Sequence, residues 1–300
     1  MHRPKYLQAG DRVRIISTAR KVSNSDMEYA AEILKSWGLE VVFGKNLFAE
    51  HHQFAGKDRQ RRADLQEALN DGDCKAIFCA RGGYGTARIL SDIDWNGMLE
   101  KPKWVIGFSD ISVLLFQLYH QGIESVHGIM PGLFNREGAA TSIEMLKNLL
   151  FDGPRAIRAQ PSSYSRSGEA SGRLVGGNLS IISISEGTPM NVTGRNNILF
   201  IEDLDEYLYH VDRMMVHLKL CGTLEGLSGL VVGQMSDMND NPITFGRQAY
   251  EIIHEHVAEY NYPVGYNFDI GHDLPNHPII HGASCKLRVN SDGSSELSFD

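Results

Sequence analysis

The stretch Gly107-Phe108-Ser109-Asp110 places a hydroxyl between two apolar runs, "KWVI" before it and "ISVLLFQLY" after it. A serine on a sharp strand-to-helix turn can act as a nucleophile, provided the residues beside the turn are small. Gly107 supplies a small residue two positions before Ser109. Ile111 stands two positions after it, so the G-x-S-x-G pattern is not matched. A simpler role is open to the same residues, because Ser109 or Asp110 would make a good N-cap for a helix over 110–122. The roles are compatible, since the N–H of Asp110 at a helix start could also face an oxyanion. A second stretch, Arg81-Gly82-Gly83-Tyr84-Gly85, follows the apolar run "IFCA". Without Cβ atoms, Gly82 and Gly83 let backbone N–H groups approach a phosphate or an oxyanion closely. The stretch lacks G-x-G-x-x-G spacing and a Walker lysine, and a plain tight turn explains it equally well.

A serine hydroxyl needs a base, and the base needs a carboxylate to orient it. Both occur late in the chain at the ends of strand-like runs. Glu202 closes "ILFIED", with Asp203, Asp205 and Glu206 as alternatives. His272 lies in "FDIGHDLPNHPIIHG", with His277 and His281 as alternatives. Two other function classes are open. A metal-dependent hydrolase could use His272, His277 and His281, or His254 and His256 around Glu255. Neither set reads H-E-x-x-H, and residues two apart on a helix do not share a face. A non-catalytic protein could bind a ligand in the same cleft.

These residues need elements to position them. Over the first half, strand-like runs at 12–18, 39–44, 75–80, 103–108 and 123–130 alternate with helical spacing at 26–38, 58–72, 84–93 and 110–122. Such alternation predicts βαβ units and a doubly wound, mostly parallel α/β sheet with helices on both faces, over residues 1–151. Ligands of such sheets bind beyond the carboxyl ends of the strands, where the Gly-rich turn and Ser109 would both project. Residues 152–171 turn Pro-, Ser- and Gly-rich and lose apolar periodicity, as a linker would. Residues 172–300 mix short β runs with helices at 206–222 and 244–260, which predicts a smaller β-rich α+β domain.

Bulk properties narrow the function. The chain has 300 residues, 42% hydrophobic and 22% charged, enough for a sizeable core. A net charge of −8 argues against a nucleic-acid or anionic-membrane partner. No secretory signal and no bilayer-length apolar run is visible, and the four cysteines form no C-x-x-C, as expected of a cytoplasmic protein with reduced, buried thiols.

Taken together, the pieces "GDRVRIIST", "ARGGYGTARIL", "VIGFSDISVLL", "HGIMPG", "GRLVGGNLS", "ILFIEDLDEYLYHVDRMMVHL" and "IGHDLPNHPIIHGASCKL" resemble the LD-carboxypeptidase family of serine peptidases over nearly the whole chain. That family includes the microcin C immunity proteins. The resemblance implies an α/β N-terminal domain, a β-rich C-terminal domain and a Ser-Glu-His triad divided between them. Carried over by motif, these are Ser109 of "GFSD", Glu202 of "IED" and His272 of "GH". It implies cleavage before a terminal D-residue without metal or cofactor. In typical members this is D-Ala release from a cytoplasmic murein tetrapeptide during wall recycling, and in immunity-type members cleavage of a peptidyl nucleotide. Trp37, Trp95 and Trp104 all lie in the first half, which favours the murein substrate, since immunity-type members use an aromatic platform for the base. On this reading the N–H groups of Gly83 and Asp110 receive the oxyanion, Arg81 takes the terminal carboxylate with Gly82 beside it, and the molecule is a homodimer. One departure is Thr18-Ala19-Arg20-Lys21, where many members carry a Ser/Pro-rich turn. It bears on substrate contacts more than on chemistry.

Overall fold

Apolar runs separated by amphipathic helices fold the first part of the chain in the computed structural model, which describes residues 1–192 and 194–300. The chain divides into two units. The first is Met1–Pro154 with His277–Ile280, and the second is Arg155–Asn276 with His281–Asp300.

The first unit runs β1 (Arg12–Ile16), α1 (Asn24–Ser36), β2 (Glu40–Phe43), α2 (Asp58–Asn70), β3 (Cys74–Cys79), α3 (Asn96–Glu100), β4 (Trp104–Gly107), α4 (Ser112–His120), β5 (Ser125–His127) and α5 (Ala139–Asp152). Its sheet order is Ile279–His281, β5, β4, β3, β1, β2. The pairs β1–β2, β1–β3, β3–β4 and β4–β5 are parallel. Val13, Ile15, Ile77, Phe78, Val105 and Ile106 are fully buried; β4 and the second half of β3 read as continuous apolar runs, whereas β1 sets Arg12 and Arg14 between its buried Val13 and Ile15. Helix α1 shows the local logic. Ser23 Oγ accepts from the N–H of Asp26, and Met27, Ala30, Ala31 and Leu34 form the buried stripe. The expected helix at 84–93 is a 3-10 helix, Ala87–Asp92, and the expected helix at 110–122 opens with a 3-10 turn, Ser109–Ile111, before α4. Helix α5 lies where the sequence reading assigned no element.

The second unit runs β6 (Ile157–Ala159), β7 (Gly168–Asn178), α6 (Leu179–Ser185), β8 (Asn197–Leu204), α7 (Leu208–Leu220), β9 (Gly229–Ser236), α8 (Ala249–Val257), β10 (Val264–Gly265), β12 (Ser284–Val289) and β13 (Ser295–Phe299), while β11 (Ile279–His281), whose Ile279 and Ile280 belong to the first unit, joins the first sheet. Its sheet order is β10-β9-β8-β7-β12-β13-β6. One half is parallel, β10 through β7, and the other antiparallel, β7 through β6. The stretch 152–171, read as a linker, carries β6 and the start of β7. An edge strand of three residues needs only Ile157 and Ala159 buried, too short a pattern to stand out among Pro and Ser. The Arg166 guanidinium fastens the stretch further, donating to the carbonyls of Val257 and Tyr260. Among the described residues no helix is long and apolar enough to cross a membrane.

Candidate active site

Strand β4 ends at Gly107, and the chain turns at once. Phe108 is extended, Ser109 has φ +61°, and the N–H of Ile111 donates back to the Phe108 carbonyl at 3.2 Å. The left-handed conformation costs a residue with a side chain about 1–2 kcal/mol, so the surrounding fold must impose it. Gly107 makes the turn possible, because a Cβ there would lie 2.6 Å from Ile111 Cγ2. Ser109 is half-buried, and neither its hydroxyl nor the Asp110 carboxylate caps the helix. Asp110 instead accepts from the N–H of Thr86 at 2.9 Å, which ties the serine turn to the Gly-rich turn after β3. Thr86 Oγ1 also shares a hydrogen bond with Thr18 Oγ1 at 2.9 Å. Beneath that turn, the buried Arg61 guanidinium donates to the carbonyls of Thr18 and Gly85. Gly82 is buried, and a Cβ on it would come within 3.2 Å of Ser109 Cβ. Gly83 is exposed with φ +107°. Arg81 is exposed and has no acidic partner among the described residues.

The second unit builds an acid–imidazole pair. Glu202 lies near the end of the buried strand β8, where the β8–β9 register shifts between Ile201 and Asp203. A bulge of this kind re-aims a side chain, and here the carboxylate is fully buried. The N–H at Nδ1 of His272 donates to Glu202 Oε2 at 2.7 Å. The loop carrying His272 is laid across β9: the N–H of Gln234 donates to the Ile270 carbonyl at 2.9 Å, and a Cβ on Gly233 would strike that carbonyl oxygen at 2.2 Å. Gln234 Oε1 accepts from the Asp273 N–H at 2.9 Å, and Ser236 Oγ donates to the Asp273 carboxylate at 2.7 Å. Burial pushes the His272 pKa down, but the charge and hydrogen bond of Glu202 outweigh it, and the net shift is upward.

The other acids have separate work. Asp203 accepts from Asn178 Nδ2 and the N–H of Ser180 at the start of α6, and burial followed by the charge of Glu202 pushes its carboxyl up to about 7. Glu206 pairs with His210, and Asp205 accepts from Asn239. His281 is buried beside the Phe200 ring, and His277 belongs to the first unit. His254 faces the Tyr164 carbonyl and His256 the Asp212 carboxylate, and among the described residues no group of three or more His, Cys, Asp or Glu could hold a metal ion. The structure thus pairs Glu202 with His272 and sets Ser109 against Gly82 and Asp110. The contributions of Asp110 to Thr86, and of Gln234 and Asp273 to the histidine loop, escaped the sequence reading. Each joins residues far apart in sequence, and no local spacing signals such a bond.

The chain matches the LD-carboxypeptidase N-terminal domain over residues 13–128 and the LD-carboxypeptidase C-terminal domain over residues 171–287. It is 30% identical to the probable murein peptide carboxypeptidase of Bacillus subtilis, over 96% of this chain and 92% of that one. It is 27% identical to the murein tetrapeptide carboxypeptidase of Pseudomonas aeruginosa, over 93% and 94% of the two chains. The crystal structure of muramoyltetrapeptide carboxypeptidase from Oxalobacter formigenes superposes with a TM-score of 0.87 at 27% identity, covering 96% of this chain and 98% of that one. A serine raised on a strained turn and a buried acid–imidazole pair accordingly sit on a chain that belongs to the LD-carboxypeptidase family, the serine-type hydrolases.

Proposed function

We propose that the protein releases the terminal D-Ala from murein tetrapeptide in the cytoplasm, by a Ser-His-Glu mechanism. Ser109 attacks the scissile carbonyl while His272 takes its proton, and Glu202 holds the imidazole tautomer and stabilises its charged form. The N–H groups of Gly83 and Asp110 receive the oxyanion, each such donor being worth about 2.7–4 kcal/mol in other enzymes. His272 then returns the proton to the departing amine, leaving an ester on Ser109 that water hydrolyses with the same base. Arg81 and Gly82 contact the substrate, and the molecule acts as a homodimer.

The observation that carries this reading is the 2.7 Å bond between His272 and Glu202, a base already oriented and made more basic by a buried acid. The relatives named for murein peptides support the substrate. Mass spectrometry of the purified protein with murein tetrapeptide, and separately with a peptidyl adenylate, tests it. Loss of D-Ala from the first is expected. Turnover of the second alone would replace the substrate class, and full turnover by Ser109→Ala would remove the nucleophile. Light scattering tests the dimer, and cell fractionation the location.

A further inference from the structure

In the first sheet the strand order reverses between β1 and β3: from β1 the chain moves outward to β2, then returns to the other side for β3. The crevice beyond the carboxyl ends of two such strands is where open α/β sheets receive ligands. Its walls here are residues 17–23 after β1 and 80–86 after β3. The first wall carries Arg20. Its N–H donates to the Gly82 carbonyl at 3.4 Å, its own carbonyl accepts from Ser17 Oγ at 2.7 Å, and it bridges to Phe54. The backbone is therefore fixed while the side chain is exposed.

That side chain lies over the Gly-rich turn. A Cβ on Gly83 would lie 2.5 Å from Arg20 Cδ and 2.7 Å from its Nε, so the glycine gives the Arg20 side chain room to lie across the turn. The preceding Gly82 is the residue in contact with Ser109. Three nearby cations are committed elsewhere: Lys21 pairs with Glu50 at 2.6 Å, and Arg61 and Arg88 both pair with Asp58. That leaves Arg20 and Arg81 without an acidic partner among the described residues, in a chain of net charge −8, and of the two it is Arg20 whose side chain lies over Gly83. An unpaired guanidinium held one residue from the nucleophile's neighbour is suited to bidentate capture of a substrate carboxylate.

We propose that Arg20 reads the free carboxylate of the departing residue and so sharpens this chain's preference for a substrate with a free C-terminus. The proposal rests on the assignment of Ser109 as nucleophile. It also fits the covalent geometry of the substrate, whose terminal carboxylate carbon lies within roughly 4 Å of the scissile carbonyl carbon. The departure from the family's Ser/Pro-rich turn at Thr18-Ala19-Arg20-Lys21 thereby gains a purpose.

The test compares murein tetrapeptide with its C-terminal amide in kcat/KM for wild type, Arg20→Ala, Arg20→Lys and Arg81→Ala. Wild type is expected to prefer the free acid. Arg20→Ala should lose roughly 10- to 100-fold on the free acid, mostly in KM, and change little on the amide. Arg20→Lys should recover part of the loss, because it keeps the charge but not the planar fork. Equal losses on both peptides would make Arg20 merely structural and overturn the proposal, as would a free-acid-specific loss in Arg81→Ala instead. If wild type turns over neither peptide, the functional reading fails. Calorimetry with Ser109→Ala then decides Arg20 separately, since equal binding of acid and amide, or no binding, overturns it.

Discussion

Replacing Glu202 by glutamine removes one charge and almost no volume from a fully buried position. The amide oxygen can still accept from His272 Nδ1, so the ring should keep its place while losing the anion beside it. In the wild type that anion lies one hydrogen bond of 2.7 Å away, placing the charge centres about 4 Å apart once the imidazole is protonated. At an effective dielectric constant near 20, a pair at that distance is worth about 4 kcal/mol. The imidazolium exists only once Ser109 has given up its proton, so this stabilisation belongs to the transition state. At about 1.4 kcal/mol per decade, kcat should fall by roughly 10³, with KM within about threefold. The pH profile gives a second reading. The base must be neutral, so kcat/KM falls as pH drops through the His272 pKa. In the wild type Glu202 holds that pKa above the ordinary imidazole value. In Glu202→Gln burial still pushes downward while the main upward contribution is gone, and the acid limb should move to lower pH. The assay is D-Ala release from murein tetrapeptide between pH 5 and 9, with thermal unfolding as a control. A folded variant that retains kcat within threefold, or whose acid limb stays in place, would refute the reasoning. So would finding the 10³-fold loss in Asp203→Asn instead.

Four further outcomes are expected. Ser109→Gly should abolish turnover yet raise stability by about 1 kcal/mol in urea unfolding, because glycine adopts φ +61° without penalty; a stability loss would mean the turn is not strained. Gly107→Ala should cost about 1–3 kcal/mol and most of the activity by driving Ile111 off the strand, and the double variant Gly107→Ala/Ile111→Ala should regain part of the activity, a result not expected if Gly107 is a passive spacer. Asp203 binds its proton more tightly folded than unfolded, so its contribution is complete below about pH 4 and lost as pH rises through about 7, amounting to about 3 kcal/mol between pH 5 and pH 8; Asp203→Asn should flatten that part of the stability profile, and an unchanged slope would rule the account out. Thiol labelling of the native protein should modify Cys221 first, because Cys74, Cys79 and Cys285 are buried, with thiols pushed up to about 11, 12 and 12 by desolvation; fast labelling of any of those three would contradict it.

Much of this protein is determined by residues close together in sequence. Parallel strands covered on both faces are rich in apolar residues, so "AIFC" of β3 and "WVIG" of β4 announce themselves as runs, and β1 as the alternation "RVRII". Gly107 and Ser109 are two residues apart, and a strand-to-helix turn is a local event. For that reason the serine turn was legible, although whether its hydroxyl merely capped a helix was not. The 152–171 stretch misled because two buried residues on a three-residue edge strand leave no periodicity to detect. The candidate catalytic apparatus depends on contacts that spacing cannot encode. Four acids at 202–206 and three histidines at 272–281 are equivalent as sequence. A register shift in β8 and the course of a loop over Gly233 select Glu202 and His272 from among them. The ion pairs that occupy Lys21, Arg61 and Arg88 but leave Arg20 exposed over Gly83 belong to the same class. Side-chain partnership between residues tens of positions apart is a property of the packed chain, since only packing decides which charges share a neighbourhood and which keep their water.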